Sequence, residues 1–218
     1  MKILCVSDQI DPLIYTETIK QSHADVDIVL SAGDLPMDYL DFITTNLNKP
    51  LFSVLGNHDA ENHLIKAARV DAKIRYVAGL ILVGLGGSMQ RGTSLSEPGA
   101  ASRHNKKENQ FTFTNLEMNI RVLKLLPALF FNRIFRGRFL DLLLTHAPPM
   151  GIHDKGDTYY LGFKCFLWFM RVFKPRYLVH GHIHLYDLSE HRITKYHKTL
   201  VINAYGHYLL DTKKIHES

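Results

Sequence analysis

The chain has few cysteines, no long apolar run and no compositionally biased segment. Among its 218 residues are 2 cysteines, Cys5 and Cys165, whose spacing fits neither a CxxC motif nor a disulfide framework. No uninterrupted apolar stretch reaches the roughly 18–20 residues of a membrane-spanning helix. Because no linker, repeat or low-complexity tract divides the chain, we expect residues 1–218 to form one domain. An opening strand in place of an apolar signal segment predicts a cytoplasmic location.

The charge of the chain is modestly positive. A formal net charge of +5 and a pI near 9.1 suit an anionic ligand such as a phosphate ester. They suit nucleic acid or an acidic lipid surface equally well. Charge alone therefore does not choose the partner, and it gives no strong signal for nucleic acid.

Apolar, strand-like runs alternate with helical patterns along the chain. Asp11-Pro12 is typical of a helix start, with a helical pattern continuing to Ile19, and Met37 to Leu47 predicts a second helix. Residues 115–135 predict one or two helices interrupted at Pro127. Towards the C-terminus, 199–203 and 207–211 look like antiparallel strands. This alternation predicts an α/β fold with a parallel sheet.

Polar clusters stand where the predicted strands end. They are Asp8, Gly33-Asp34, Gly56-Asn57-His58-Asp59, Thr145-His146 and His180-Gly181-His182-Ile183-His184. Taken alone, the third cluster could be an ordinary turn, and Asp34 could be a helix N-cap. Together the clusters place carboxylate, carboxamide and imidazole groups at one edge of the sheet, where α/β folds bind ligands. This order of residues predicts a metal site.

The ordered clusters give the chain a family resemblance. Residues 5–187 resemble the calcineurin-like metallophosphoesterases, whose motifs run D-x-H, G-D, G-N-H-D/E, H and G-H-x-H, and four of the five motifs are intact. The resemblance implies a four-layer αββα sandwich that holds two divalent metal ions. It favours Mn or Fe, with Zn or Ni as alternatives.

The resemblance also implies a role for each residue of the site. Asp34 would bridge the two ions, and Asp8 and His184 would serve the first. Three further residues would complete the second, namely Asn57, His146 and His182. His58 would be the general acid that protonates the leaving oxygen, and Asp59 would orient its ring. His180 is expected behind the site rather than among the ligands.

The first motif is broken at Ile10, which stands where the family has histidine. Isoleucine cannot bind a metal, so one ligand of the first ion is missing. Asp11 could swing its carboxylate inward, although its place before Pro12 favours an N-cap, and a water could fill the position instead. We therefore expect the first metal site to be weaker than the second.

Other residues could contact a substrate or a surface. Arg91, and less so Arg103, could bind phosphate from the polar loop 86–110, which could act as a lid. His153-Asp154 could reach the mouth of the site and orient a leaving group, or could simply form a local turn. Residues 120–139 mix arginine and lysine with leucine and phenylalanine. That pattern is read as a core-packing helix in preference to a basic amphipathic surface for peripheral contact with anionic lipid.

The sequence thus predicts a metal-dependent hydrolase of phosphoester bonds, with small-molecule phosphodiesters favoured over monoesters. The broken motif at Ile10 keeps open an alternative, a metal-binding scaffold or regulatory module with the same fold. A nuclease that uses the same centre is a further alternative.

Overall fold

The computed structural model of the protein describes residues 1–59, 68–90, 111–155, 160–186 and 191–213. Its elements, in chain order, are β1 (Lys2–Ser7), α1 (Ile19–Ser22), β2 (Ile28–Ser31), α2 (Met37–Leu47), β3 (Leu51–Ser53), β4 (Ala68–Arg69), β5 (Lys73–Val77), β6 (Leu80–Leu85), β7 (Ser88–Met89), β8 (Thr112–Phe113), α3 (Asn115–Arg136), β9 (Leu142–Thr145), α4 (Lys164–Phe173), β10 (Tyr177–His180), β11 (Ile193–Tyr196), β12 (Thr199–Asn203) and β13 (Gly206–Asp211).

Two larger sheets organise these strands. The first has the order β13-β1-β2-β3-β4 and the second the order β11-β12-β10-β9-β6-β5, while β7 and β8 form a small separate pair. In the first sheet β1, β2 and β3 run parallel. In the second sheet β6, β9, β10 and β12 run parallel. The carboxyl ends of the parallel strands in each sheet therefore lie along one edge.

The apolar side chains form three buried clusters, which define the layers. One cluster joins α1 and α2 to the outer face of the first sheet, for example through Ile43 and Val29. A second lies between the sheets and includes Cys5 and Leu144. The third joins α3 and α4 to the outer face of the second sheet, for example through Phe169. The layers are helix, sheet, sheet and helix, so the predicted α/β sandwich is confirmed.

Strand β1 shows how the sequence produces this arrangement. Leu4 and Val6 belong to the cluster under the helices, whereas Ile3 and Cys5 belong to the cluster between the sheets. Successive side chains of a strand point to opposite faces, so a strand that is covered on both faces needs a continuous apolar run. All four of these side chains are fully buried.

The first predicted helix is much shorter than expected. Only Ile19–Ser22 is helical, and the residues before it form turns. The side chain of Asp11 accepts a hydrogen bond from the amide of Leu13 at 2.9 Å, and the amide of Thr16 bonds the carbonyl of Ile14 at 2.9 Å. These local bonds replace a first helical turn and still bury Ile14.

Pro127 does not interrupt the third helical region. Helix α3 runs unbroken over Asn115–Arg136 and contains Pro127. Thr114 and Glu117 close its N-terminus with a capping box, and its inner face is anchored in the core. Pro127 is exposed, so water can solvate the carbonyl group that loses its partner. None of the helices in the described parts of the chain is long and apolar enough to cross a membrane.

The two C-terminal strands do not pair with each other. β12 lies in the second sheet, parallel to β10 and antiparallel to β11, a strand that the sequence did not indicate. β13 lies in the first sheet, antiparallel to β1. Between them the chain crosses from one sheet to the other, where the amide of Ala204 bonds the carbonyl of His180 at 2.8 Å. This crossover brings Tyr205 to the edge at which the parallel strands end.

Candidate metal centre

The predicted ligands follow strands of both sheets. In the first sheet Asp8 directly follows β1, Asp34 comes after β2 and Asn57 comes after β3. In the second sheet His146 directly follows β9, and His182 and His184 follow β10. Hydrogen bonds tie the two edges together, since the amide of His182 donates to the carboxylate of Asp8 at 2.8 Å.

Several of these residues have unusual backbone conformations. Asp8, Asp34 and His182 have φ angles of 61°, 55° and 65°, in the left-handed region that non-glycine residues rarely adopt. Such conformations persist only where the surrounding contacts fix them, and they concentrate at functional sites. Gly181 allows the two sheet edges to approach, because a Cβ atom there would collide with the side chains of Ser7 and Asp8.

Asp8, Asp34 and His146 form the centre of the site. Each offers one ligand atom, and these atoms all lie within 4.8 Å of one another. Burial raises the pKa of Asp8, and the charge of Asp34 raises it further, against the opposing effect of His146. Two carboxylates are therefore held close together in a poorly solvated place, where a cation would relieve their repulsion.

The Nε2 atom of His146 faces two oxygen atoms. Nδ1 lies 2.8 Å from the carbonyl oxygen of Ala32 and donates its hydrogen there. Nε2 then lies 3.3 Å from Oδ2 of Asp34 and 3.1 Å from Oδ1 of Asn57. A neutral ring in this tautomer would set its lone pair against two oxygens. Nε2 therefore needs either a second proton or a metal ion in front of it.

The pKa values of His146 and Asp34 agree with the contacts of His146 Nε2. Burial alone would lower the pKa of His146, but the charges of Asp34 and Asp8 and its hydrogen bonds raise it to about 9. Burial would raise the pKa of Asp34, yet the charge and hydrogen bond of His146 lower it to about 2. A divalent cation can take the place of the extra proton between them. The donor set of carboxylates and imidazole thus fits a metal ion.

The remaining predicted ligands surround this centre. Asn57 and His182 are buried, and the rings of His182 and His146 have their centroids 4.9 Å apart. Nε2 of His184 lies 3.9 Å from Oδ1 of Asp8, with the His184 side chain 38% exposed. His184 therefore stands on the solvent side of Asp8, and Asn57 and His182 stand beside His146. The structure brings all six predicted ligands to one edge.

Comparison with known proteins decides the family. The family model for calcineurin-like phosphoesterases matches residues 1–186 of the chain. The chain belongs to the calcineurin-like phosphoesterase family. The protein TT1561 of Thermus thermophilus shares the fold, with a TM-score of 0.67, 16% identity, and 98% of this chain and 95% of that chain covered. An archaeal phosphodiesterase is covered to the same extent at 14% identity, with a lower TM-score of 0.41. No curated protein matches the chain significantly.

This member of the family keeps the position of the missing first-motif histidine open to solvent. Ile10 is 41% exposed. Asp11 does not replace the lost ligand, because its Oδ2 lies 2.6 Å from Nδ1 of His207 while its Oδ1 accepts from the amide of Leu13. Asp11 therefore ties the turn after β1 to strand β13, which agrees with a structural role more than with metal binding.

One carboxylate oxygen of Asp59 holds the backbone of the site. Its Oδ2 accepts hydrogen bonds from the amides of Asp34, at 2.9 Å, and Gly56, at 2.8 Å. Both bonds use Oδ2, so the orientation of the His58 ring by Asp59 stays a prediction. His58 is exposed, and its amide donates to Oδ1 of Asp34 at 2.9 Å. Both residues thus fix Asp34, and the His58 ring faces solvent.

His153 does not offer a nitrogen atom to a substrate. Its Nδ1 lies 2.8 Å from Nε2 of His180 and its Nε2 lies 2.8 Å from Oγ1 of Thr194. Nδ1 of His180 in turn lies 2.9 Å from the carbonyl oxygen of Gly181. When both rings are neutral, Nδ1 of each ring donates a hydrogen bond and Nε2 of each ring accepts one, so every contact pairs a donor with an acceptor. The predicted substrate contact of His153 is therefore replaced by a relay that supports His180, which lies behind the site as expected.

Burial keeps both rings of this relay neutral. It lowers the pKa of His153 to about 4, and the nearby His191 contributes in the same direction. Burial also lowers the pKa of His180 well below its ordinary value, and His153 adds to this effect. Thr194 is contributed by β11, the strand that the sequence did not indicate.

Three tyrosines near the site were also missed by sequence reasoning. Tyr205 lies with its ring 5.0 Å from that of His184, and Tyr160 and Tyr186 lie 6.2 Å and 6.3 Å from the same ring. Tyr205 reaches this place through the crossover between sheets, which no local pattern signals. Arg91 and Arg103 lie outside the described residues, as does most of the predicted lid, of which only 86–90 is described, with β7 at Ser88–Met89.

Proposed function

We propose that the protein is a metal-dependent phosphoester hydrolase that prefers small-molecule phosphodiesters. The proposal is carried by one observation, the convergence of ligand atoms from Asp8, Asp34 and His146 within 4.8 Å of one another. Membership in the calcineurin-like phosphoesterase family supports the class of reaction.

Asp34 is the residue we assign to bridge two divalent ions. Its Oδ1 accepts from the amide of His58 and its Oδ2 faces His146, so the two oxygens look in different directions. In this assignment Asp8 and His184 would hold the first ion. The second ion would be held by three residues beside Asp34, namely Asn57, His146 and His182. When bound, such ions would polarise a phosphate group and lower the pKa of a bound water.

His58 is the residue we assign to protonate the departing oxygen. Its ring is exposed, while its amide is fixed to the carboxylate of Asp34, so the ring stands at the mouth of the site. A positioned imidazole of this kind contributes about 10²–10⁴-fold to a rate. Asp59 holds the amides of Asp34 and Gly56 and thereby sets the distance between His58 and the metal ligands.

The first metal site should be the weaker of the two. Ile10 supplies no ligand, and the carboxylate of Asp11 is engaged by His207. We favour Mn or Fe, because carboxylate and carboxamide oxygens suit Mn and imidazole suits Fe. Zn and Ni are the alternatives. The cytoplasmic location stays a prediction.

A substrate panel tests the proposal. Purified protein should hydrolyse bis-p-nitrophenyl phosphate faster than p-nitrophenyl phosphate when Mn²⁺ is added, and a chelator should abolish both reactions. His146→Ala is the variant that should lose turnover, because Nε2 of His146 faces the metal position. Equal rates with and without metal, or full activity of His146→Ala, would contradict the assignment.

A scaffold or regulatory module remains the second candidate, and the pairing of Asp11 with His207 favours it. That pair leaves the position of the lost histidine without a substitute from Asp11. A scaffold should bind metal through Asp34 and His146 without any metal-dependent rate on the same panel. The two candidates therefore separate on turnover, while both predict metal binding.

A further inference from the structure

Helix α3 has two apolar faces. The inner face is buried against the second sheet through Met118, Val122, Leu125 and Leu129. The core-packing role predicted for residues 120–139 is therefore confirmed for the last three of these. The opposite face is also apolar but exposed, and its large side chains are Leu116, Ile120, Leu123, Phe130, Phe131, Ile134 and Phe135. Ile134 and Phe135, at 75% and 69% exposure, are among the most exposed. These positions recur at helical spacing and form one stripe.

Helix α4 extends this stripe sideways. The ring of Phe130 lies 6.3 Å from that of Phe173, and Trp168 lies 5.5 Å from the same ring. Trp168 is itself 44% exposed, and Val172 is exposed beside it. Near the N-termini of the two helices, a groove of about 500 Å³ is lined by residues that include Leu116, Lys164 and Trp168. We call the exposed apolar residues of both helices the α3–α4 face.

Cationic side chains accompany the α3–α4 face. Between residues 115 and 139 the sequence has five arginines and lysines and one acidic residue, Glu117, which is used in the capping box of α3. Between residues 163 and 176 it has four cations and no acidic residue. Arg121 and Arg138 are paired with Asp71 and Asp141, and Arg136 stacks on the ring of Tyr76 in β5. Lys124 and Lys164 are exposed, and Lys164 lines the groove beside Trp168.

We propose that the α3–α4 face docks the protein on a membrane surface that contains anionic lipid. An exposed apolar stripe of this size marks an interaction surface. Aromatic and aliphatic side chains flanked by arginine and lysine are typical of helices that lie in the membrane interface, where the cations contact lipid phosphates. Tryptophan prefers the same interfacial depth. The proposal does not depend on the hydrolase assignment, because it uses none of the site residues.

Charge favours lipid over a second copy of the chain. A twofold interface brings each patch against itself, so the exposed Lys124 and Lys164 would face the same cations of the partner copy. Like charges in that arrangement oppose association. An anionic bilayer offers charge of the opposite sign to the same surface.

Vesicle binding tests the proposal, and the chain supplies its own probe. Trp168 is the one tryptophan in the sequence and belongs to the α3–α4 face. Vesicles of phosphatidylglycerol and phosphatidylcholine should sediment the protein and shift Trp168 emission to shorter wavelength. Phosphatidylcholine alone should bind it more weakly, and high salt should reduce the difference. The double variant Phe131→Glu with Ile134→Glu should lose about tenfold or more in vesicle affinity.

Controls separate docking from folding and from self-association. Leu13→Glu changes an equally exposed apolar side chain outside the face and should bind like the parent. Lys124→Gln with Lys164→Gln keeps the apolar stripe intact and should weaken binding to anionic vesicles only. The proposal is overturned if the parent does not bind anionic vesicles, or if the Phe131 and Ile134 variant binds as well as the parent. It is also overturned if the parent is a dimer in light scattering that this variant dissociates, with no vesicle binding.

Discussion

The carboxylate of Asp59 accepts a hydrogen bond from the backbone amide of Asp34 at 2.9 Å, across 25 residues of sequence. The same oxygen accepts from the amide of Gly56. Asp59 therefore holds together the two loops that present Asp34 and Asn57. A residue of this kind acts through the ligands that it positions.

Asp59→Ala should lower metal affinity by about 10–100-fold, because two part-buried amides lose their acceptor and Asp34 is released. Asp59→Asn keeps an acceptor oxygen and should lose less. Calorimetric titration of metal-free protein with Mn²⁺ measures both. If Asp59 instead served the His58 ring, Asp59→Ala would shift the pH profile of turnover and leave metal affinity unchanged.

His58→Ala should slow hydrolysis in proportion to the basicity of the leaving group. Loss of a general acid costs about 10²–10⁴-fold when the departing oxygen must be protonated. An alkyl phosphodiester should therefore lose far more rate than bis-p-nitrophenyl phosphate, whose leaving group departs without a proton. Metal content should stay at the parent level. Equal losses on both substrates would argue that His58 has no acid role.

Ile10→His should strengthen the first metal site, because it restores the ligand that the first motif lacks. We expect the protein to retain more metal after dialysis and to need less added Mn²⁺ for full activity. Asp11→Asn is the matched control, and it should leave metal content unchanged because the carboxylate contacts His207 and Leu13 instead. A drop in metal content with Asp11→Asn would show that Asp11 is a ligand after all.

The relay behind the site should make the protein sensitive to mild acid. Imidazole titrates near pH 6.5 in an unfolded chain, whereas the pKa of His153 in the fold is about 4. Between these values the native state binds fewer protons, so stability is lost as the pH falls from 6.5 towards 4. The loss from His153 is at most about 3 kcal/mol.

Urea unfolding across this pH range measures the effect of the relay. His153→Gln should flatten the acid side of the stability profile, since it removes a group that must stay neutral. His197→Asn changes an exposed histidine and should leave the profile as it is. A profile that is equally steep with His153→Gln would show that His153 and its contact with His180 do not set the acid sensitivity.

The sequence could predict the site because its ligands stand at strand ends in a fixed order. For that reason Oδ2 of Asp34 and Nε2 of His146 lie 3.3 Å apart, although the two residues are far apart in the chain. The hydrogen bonds of Asp59 to the backbone could not be predicted. A carboxylate next to a histidine in the sequence is as compatible with a bond to the histidine ring as with bonds to the amides of two loops. The contact of Asp11 with His207 spans 196 residues and depends on β13 pairing with β1.

The fold could be predicted in its layers more than in its details. Continuous apolar runs in strands such as β1 indicate sheets covered on both faces. The crossover at Ala204 and Tyr205 could not be predicted, because two adjacent strand patterns look alike whether they join one sheet or two. The exposed apolar residues of α3 were also not predicted. The apolar residues on one face of the helix fit a core-packing pattern, and those on the other face form an exposed stripe.

Anomalous scattering from a crystal soaked with Mn²⁺ and phosphate tests the central claim most directly. We predict two peaks that share Asp34, with His146 on the stronger and Asp8 on the weaker, and a phosphate oxygen towards each. Absence of any peak at this edge, or a peak whose nearest protein atoms exclude Asp34, would contradict the account.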